Sequence, residues 1–269
     1  MICRKFLKED SLLSLALYAF CDLLESNYSF YAASIAYYTI MSVIPLFIFL
    51  FFLGMVVLHV NLHDLIPVEL LNSPLKPIFL RIEELINNSG LISGTAALFM
   101  LWFSRGIFLS LEKSFCEILE VESPSNFFYR NLAIIFAIFF LWVLLFIFYI
   151  TKYTIALLLP QIPFLSFLSS LLVLILLFTI LVSTYYFMLP VSVPFGFILK
   201  ISFLVFTLLL FFEKAFVWFI LNVSKVNILY GSFAALIVSL LWIYYSATVI
   251  LLGVGIVKGK LIVERERKE

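Results

Sequence analysis

Apolar residues run through this chain in long blocks, with few polar positions between them. Six blocks, at roughly 31–58, 91–112, 131–151, 167–189, 197–221 and 232–257, are long enough to cross a hydrocarbon core about 30 Å thick, which takes about 20 residues of helix. They predict an all-α polytopic membrane protein with six transmembrane helices in one domain over 31–257. Ahead of them, Arg4, Lys5 and Lys8 precede Glu9, Asp10 and an apolar run from Ser11 to Phe20. The acidic pair, and the bulk of Phe20 before Cys21, argue against a cleaved signal. The pattern predicts instead an amphipathic helix from about Lys5 to Glu25, lying in the interface within a cytoplasmic segment 1–30.

Loops are short except for 59–90, where Pro67, Pro74 and Pro77 alternate with apolar patches such as Phe79, Ile82, Leu85 and Ile86. That spacing predicts a short amphipathic extracytoplasmic helix against the membrane surface. The second span is expected to continue as one helix to about Val121, with Ser123-Pro124 as its stop. The last span is followed by a charged cytoplasmic tail, 258–269.

Composition agrees with the block pattern: at 65% hydrophobic and 12% charged residues, the chain is too apolar for a soluble domain of this length. Charge sets its orientation. With both termini inside, eleven Lys and Arg fall in cytoplasmic segments and four on the other side, which favours a cytoplasmic N-terminus and C-terminus. A net charge of +1 gives no basic footprint for nucleic acid. The three cysteines, Cys3, Cys21 and Cys116, are odd in number and show no CxxC spacing, so neither a disulfide framework nor a zinc site is expected.

Chemistry is concentrated at a few positions inside the spans. In the first, Ser34, Tyr38 and Ser42 recur every four residues and form one stripe. Pro45 cannot donate the bond that the Met41 carbonyl would receive. Polar groups at membrane depth need protein or a water-filled cavity to satisfy them, so the stripe is expected to point inward. Arg105, Glu213 and Lys214 are the ionisable residues within spans, and such residues are functional candidates. Counted at about 1.5 Å per residue, Arg105 lies in the cytoplasmic third, level with Tyr38, Tyr244, Tyr245 and Thr248. A polar cavity open to the cytoplasm follows as an expectation, lined by Ser34, Tyr37 or Tyr38, Ser42, Arg105 and Tyr244 or Tyr245. The Arg105 fork suits a phosphate or carboxylate; equally, it can snorkel, or meet Glu112 two turns away and act as a clamp. Glu213 calls for a partner or water within the bundle, and a proton-coupling role is a second possibility for it.

His59 and His63, beside Asp64, have a spacing that could bind metal, but no third or fourth ligand accompanies them, so no metal site is expected. HExxH, GxSxG and P-loop motifs are absent from the sequence, as are paired carboxylates beside a histidine. Neither enzymatic chemistry nor a cofactor is expected.

Three blocks carry a family resemblance: ASIAYYTIMSVIPL at 33–46, LWFSRGIFLSLEKSFCEILEV at 101–121, and YGSFAALIVSLLWIYYSATVILLGVGI at 230–256. With Pro190, Pro194 and Phe212-Glu213, their order and spacing resemble the YihY/BrkB group of bacterial inner-membrane proteins, many of which carry an older ribonuclease label. One departure stands out. The family's closing motif commonly continues from the glycine into Ala-Glu, where this chain has Val254-Gly255. The resemblance implies a six-span protein of the inner membrane and cell envelope. It places structural or coupling roles on Pro45, Glu112, Glu213, Tyr230, Gly231 and Trp242. Together with the expected cavity it points to a transporter or translocase of a lipid or anionic envelope precursor, with membrane lipids as partners and no nucleic acid; a non-transporting scaffold for envelope partners is the alternative. The missing metal-ligand cluster and basic surface speak against the nuclease label.

Overall fold

The structure is a computed structural model that describes residues 3, 7, 11–58, 94–122, 164–222 and 234–267. Among these residues it holds six helices and no strand: α1 (Leu12–Glu25), α2 (Tyr28–Leu58), α3 (Gly94–Leu119), α4 (Phe164–Met188), α5 (Phe195–Asn222) and α6 (Ala234–Glu266). Helices α2 to α6 occupy five of the six expected apolar blocks; the block at 131–151 and the segment 59–90, with His59 and His63, lie outside the described residues. Among the described residues, three helices are long and apolar enough to cross a membrane, over Leu171–Met188, Phe195–Ile220 and Leu236–Glu266. Helix α6 runs unbroken to Glu266, through most of the charged stretch after 257.

Helix ends follow local chemistry. Ser11 caps α1 by accepting the Ser14 N–H at 3.2 Å, so this helix begins at Leu12, inside the range expected from Lys5. The stop of α3 lies upstream of Ser123-Pro124. Glu120 takes a left-handed conformation, φ 55°, and the Val121 N–H closes back on the Cys116 carbonyl at 3.0 Å. A left-handed backbone costs a residue with a Cβ roughly 1–2 kcal/mol, and the two closing bonds of this helix end, Val121 N–H to Cys116 and Glu120 N–H to Glu117, offset it. Pro194, at the mouth of α5, presents a carbonyl to the Phe197 and Ile198 N–H groups. Pro45 sits inside α2, which continues to Leu58.

The chain divides into two compact units, Met1–Ala36 with Phe108–Glu269, and Tyr37–Ile107. In the first, the loop after Met188 is short and α4 and α5 pack as neighbours, with Phe178 against Phe206 at 5.5 Å between ring centroids. Helix α6 runs antiparallel to α5: Phe216 meets Trp242 at 5.3 Å, while Gly253 lies against Val205. The fully buried side chains Leu15, Tyr28, Phe115, Tyr185, Val205, Leu251 and Ile256 form its core.

Glycines on α6 permit that core. A Cβ on Gly253 would run into the Tyr185 hydroxyl, and one on Gly255 would lie 2.8 Å from the Tyr28 hydroxyl and 3.1 Å from Ala19. Gly255 is the second residue of the pair, Val254-Gly255, that departs from the Ala-Glu of the resembled motif, and the close seating of α1 on α6 leaves no room there for a side chain. Outward, α1 shows Leu13, Leu17, Phe20 and Leu24. That spacing makes a continuous apolar stripe on the face turned from α6, while the face turned inward carries Asp22.

One cysteine expectation is corrected. Cys3 and Cys21 form a disulfide, with their Cα atoms 5.5 Å apart, and Cys116 is the free, buried third. An odd count and irregular spacing hid a pair that α1 brings together with the segment before it.

Candidate functional site

Two sites in the first unit carry chemistry. The first is a buried hub where the α1–α2 corner meets α3 and α6. Asp22 accepts from the Tyr28 hydroxyl at 2.8 Å and from the Ser26 hydroxyl at 3.1 Å, and Lys258 Nζ lies 3.5 Å from it. Lys258 also pairs with Glu120 at 3.0 Å. Burial, and then the adjoining Asp22 carboxylate, push the Tyr28 phenol well above its ordinary range, so it stays a donor. A cavity of about 250 Å³ opens beside the hub, bordered by Tyr18, Asp22, Glu25, Glu120, Lys258 and Arg265.

The second site is a groove of about 670 Å³ between α4, α5 and α6, mostly apolar, with Glu213, Trp242, Ser239, Ser246 and Thr184 along it. From Val238 to Ile250 on α6 it extends about 18 Å at 1.5 Å per residue. Its ionisable lining group is Glu213. Phe216, one turn on from Glu213, packs on Trp242 and stands 6.3 Å from Tyr245; Tyr245 in turn meets Tyr244 edge-on at 5.4 Å.

The expected site residues are distributed between the two units. Tyr37, Tyr38, Ser42, Pro45 and Arg105 belong to the second. There, Arg105 lies over the Trp102 ring at 4.1 Å, Ser42 is buried, and a Cβ on Gly106 would meet Ser42 Oγ at 3.0 Å and Tyr38 at 3.2 Å. Ser34, Glu112, Glu213, Trp242, Tyr244 and Tyr245 belong to the first unit. In it, the Ser34 and Ser110 hydroxyls stand 3.2 Å apart and Glu112 is buried. The structure brings Glu213 and Trp242 into one groove. Tyr230 and Gly231 lie outside the described residues.

Sequence reasoning missed the hub. Asp22 and Lys258 stand 236 positions apart, and Lys258 counted there only as a topology charge. A carboxylate among Leu, Tyr and Phe on α1 was the available signal.

These helices define an integral membrane protein of the all-α class. The model of the virulence factor BrkB family matches residues 19–260, and the chain belongs to that family. No curated protein and no solved structure matches it.

Proposed function

We propose that this protein binds a lipid or lipid-like envelope precursor within the bilayer and moves it between leaflets, without enzymatic chemistry and without a cofactor. The observation that carries this reading is the groove of about 670 Å³ walled by three helices of membrane-spanning length. Its apolar length suits acyl chains, and its hydroxyls and single carboxylate offer polar groups to a headgroup as it passes. The positive-inside bias supports a place in the cytoplasmic membrane with both termini inside, and α1 then lies at the cytoplasmic boundary. Arg105, held over Trp102, is proposed as an anion contact of the second unit.

The test is lipid movement in proteoliposomes carrying headgroup-matched fluorescent phospholipids, with dithionite quenching of the outer leaflet. Wild-type protein should let quenching proceed beyond the outer-leaflet fraction. Ser246→Trp, which fills the groove, should return the trace toward that of empty liposomes. Traces equal to empty liposomes for phosphatidylethanolamine, phosphatidylglycerol and cardiolipin alike would reject transport.

One observation favours the scaffold reading instead. The hydroxyl stripe of α2 is engaged in close helix packing, through Ser34 on Ser110 in the first unit and through Ser42 and Tyr38 against Gly106 in the second. Small and hydroxylated residues of this kind hold membrane helices together at about 0.6–2 kcal/mol per contact.

A further inference from the structure

We infer that the Glu213 end of the groove recognises the ammonium group of a zwitterionic aminophospholipid, whose acyl chain lies along α6 toward Ile250. This deepens the proposed function and rests on it only in taking the groove for a lipid site; whether lipid moves is a separate question.

The chemistry of the lining selects the headgroup. The groove's ionisable lining group is a carboxylate, and the same lining holds two aromatic rings, Phe216 and Trp242, packed on each other at 5.3 Å between centroids and tilted by 44°. A carboxylate with aromatic faces is the arrangement that holds alkylammonium ions, because ring quadrupoles and the anion both attract the cation. An anionic headgroup would find Glu213 repulsive and no lysine or arginine in the lining. The next residue on α5, Lys214, has its ammonium 3.8 Å from Glu213 and a side chain 82% exposed. It stands at the lip paired with Glu213, so the lipid ammonium takes over the carboxylate as Lys214 turns to the headgroup phosphate. Acid within the groove and base outside it match, in order, the ammonium and phosphate of one net-neutral headgroup.

The geometry selects a lipid over a soluble amine. The groove runs about 18 Å along α6, close to the hydrocarbon depth of one leaflet, about half of a 30 Å core. Away from Glu213 it is walled by Leu177, Ile180, Leu181, Phe206, Leu209 and Ile250. A soluble amine would leave that wall uncovered, whereas an acyl chain covers it.

The test uses the full-length protein in vesicles of phosphatidylethanolamine and phosphatidylglycerol with identical acyl chains, mixed equally, followed by native mass spectrometry of the lipid retained. Wild-type protein should retain phosphatidylethanolamine over phosphatidylglycerol by about tenfold, equivalent to about 1.4 kcal/mol. Glu213→Gln should bring the ratio to near parity, and Trp242→Leu should reduce it severalfold. Competition on wild-type protein keeps the test independent of variant folding: dodecyltrimethylammonium should displace the bound lipid at lower concentration than dodecyl sulfate. Equal retention of the two lipids by wild type, a preference for phosphatidylglycerol, or unchanged selectivity in a folded Glu213→Gln protein would overturn the inference. Selective retention without lipid movement would uphold it and remove the transport reading; movement without selectivity would do the reverse.

Discussion

The Tyr28 hydroxyl donates to the Asp22 carboxylate at 2.8 Å, across the corner that joins α1 to α2. Both side chains are buried. The bond fixes the angle at which the first helix leaves the second and presents Asp22 to Lys258 on the last.

Tyr28→Phe should therefore destabilise the protein by about 1–3 kcal/mol, since a buried acceptor loses its best donor. Asp22→Asn should cost less than Asp22→Ala, because the amide oxygen still accepts from Tyr28. Thermal unfolding in detergent should place Asp22→Asn above Asp22→Ala, and a Tyr28→Phe protein melting with wild type would show the corner is held by something else.

Glycine substitutions on α6 should separate by what surrounds them. Gly253→Ala drives a methyl into the Tyr185 hydroxyl, and Gly255→Ala meets Tyr28 and Ala19, whereas Gly196→Ala on α5 meets nothing within 4 Å. Overpacking costs about 1–3 kcal/mol, so the first two should lower the melting temperature and the third should leave it unchanged or raise it. Tyr185 donates to the Ile250 carbonyl at 2.7 Å. Tyr185→Phe combined with Gly253→Ala should thus be less damaging than the sum of the single changes.

Ser202 lies fully buried in α5, and its hydroxyl has no partner among the described residues. Ser202→Ala removes an unsatisfied polar group, so stability should be equal or higher by up to about 1 kcal/mol. A clear loss in the same unfolding measurement would reveal a partner such as a bound water.

Arg105→Lys keeps the charge but loses the planar fork that lies over Trp102. If Arg105 contacts an anion, lipid movement should fall severalfold while expression and melting temperature hold. A parallel fall in all three would make Arg105 a structural clamp.

The cysteine pair links redox state to orientation. Cytoplasmic thiols are kept reduced, so with the N-terminus inside, alkylation of unfolded protein from acid-quenched cells should modify all three cysteines. Oxidation of membranes with copper phenanthroline should then leave Cys116 as the one modified. Finding Cys3 and Cys21 already bonded in acid-quenched cells would place the N-terminus on the oxidising side.

The helices were legible because length and apolarity are properties of a local window. Helices α2 to α6 fall on the expected blocks, and Glu213 and Trp242, singled out on the chain, share a groove. What escaped was contact between distant residues. Nothing near Asp22 announces Lys258, and the left-handed residue at Glu120 ends the helix ahead of the Ser123-Pro124 stop without a glycine to mark it. The Cys3–Cys21 bond escaped for a related reason, since residue count and spacing do not reveal which way α1 presents Cys21.

The seating of α1 on α6 also sets an order of assembly. Helix α1 pairs with α6, so during synthesis Asp22 must wait without Lys258 while the chain of more than two hundred residues between them is made. Contacts so distant in sequence form late, and the glycines of α6 dock only once that helix has been made. A chain halted before α6 would carry a carboxylate on an otherwise apolar helix with its cation missing, a lesion that quality-control proteases could read as a mark of incomplete translation.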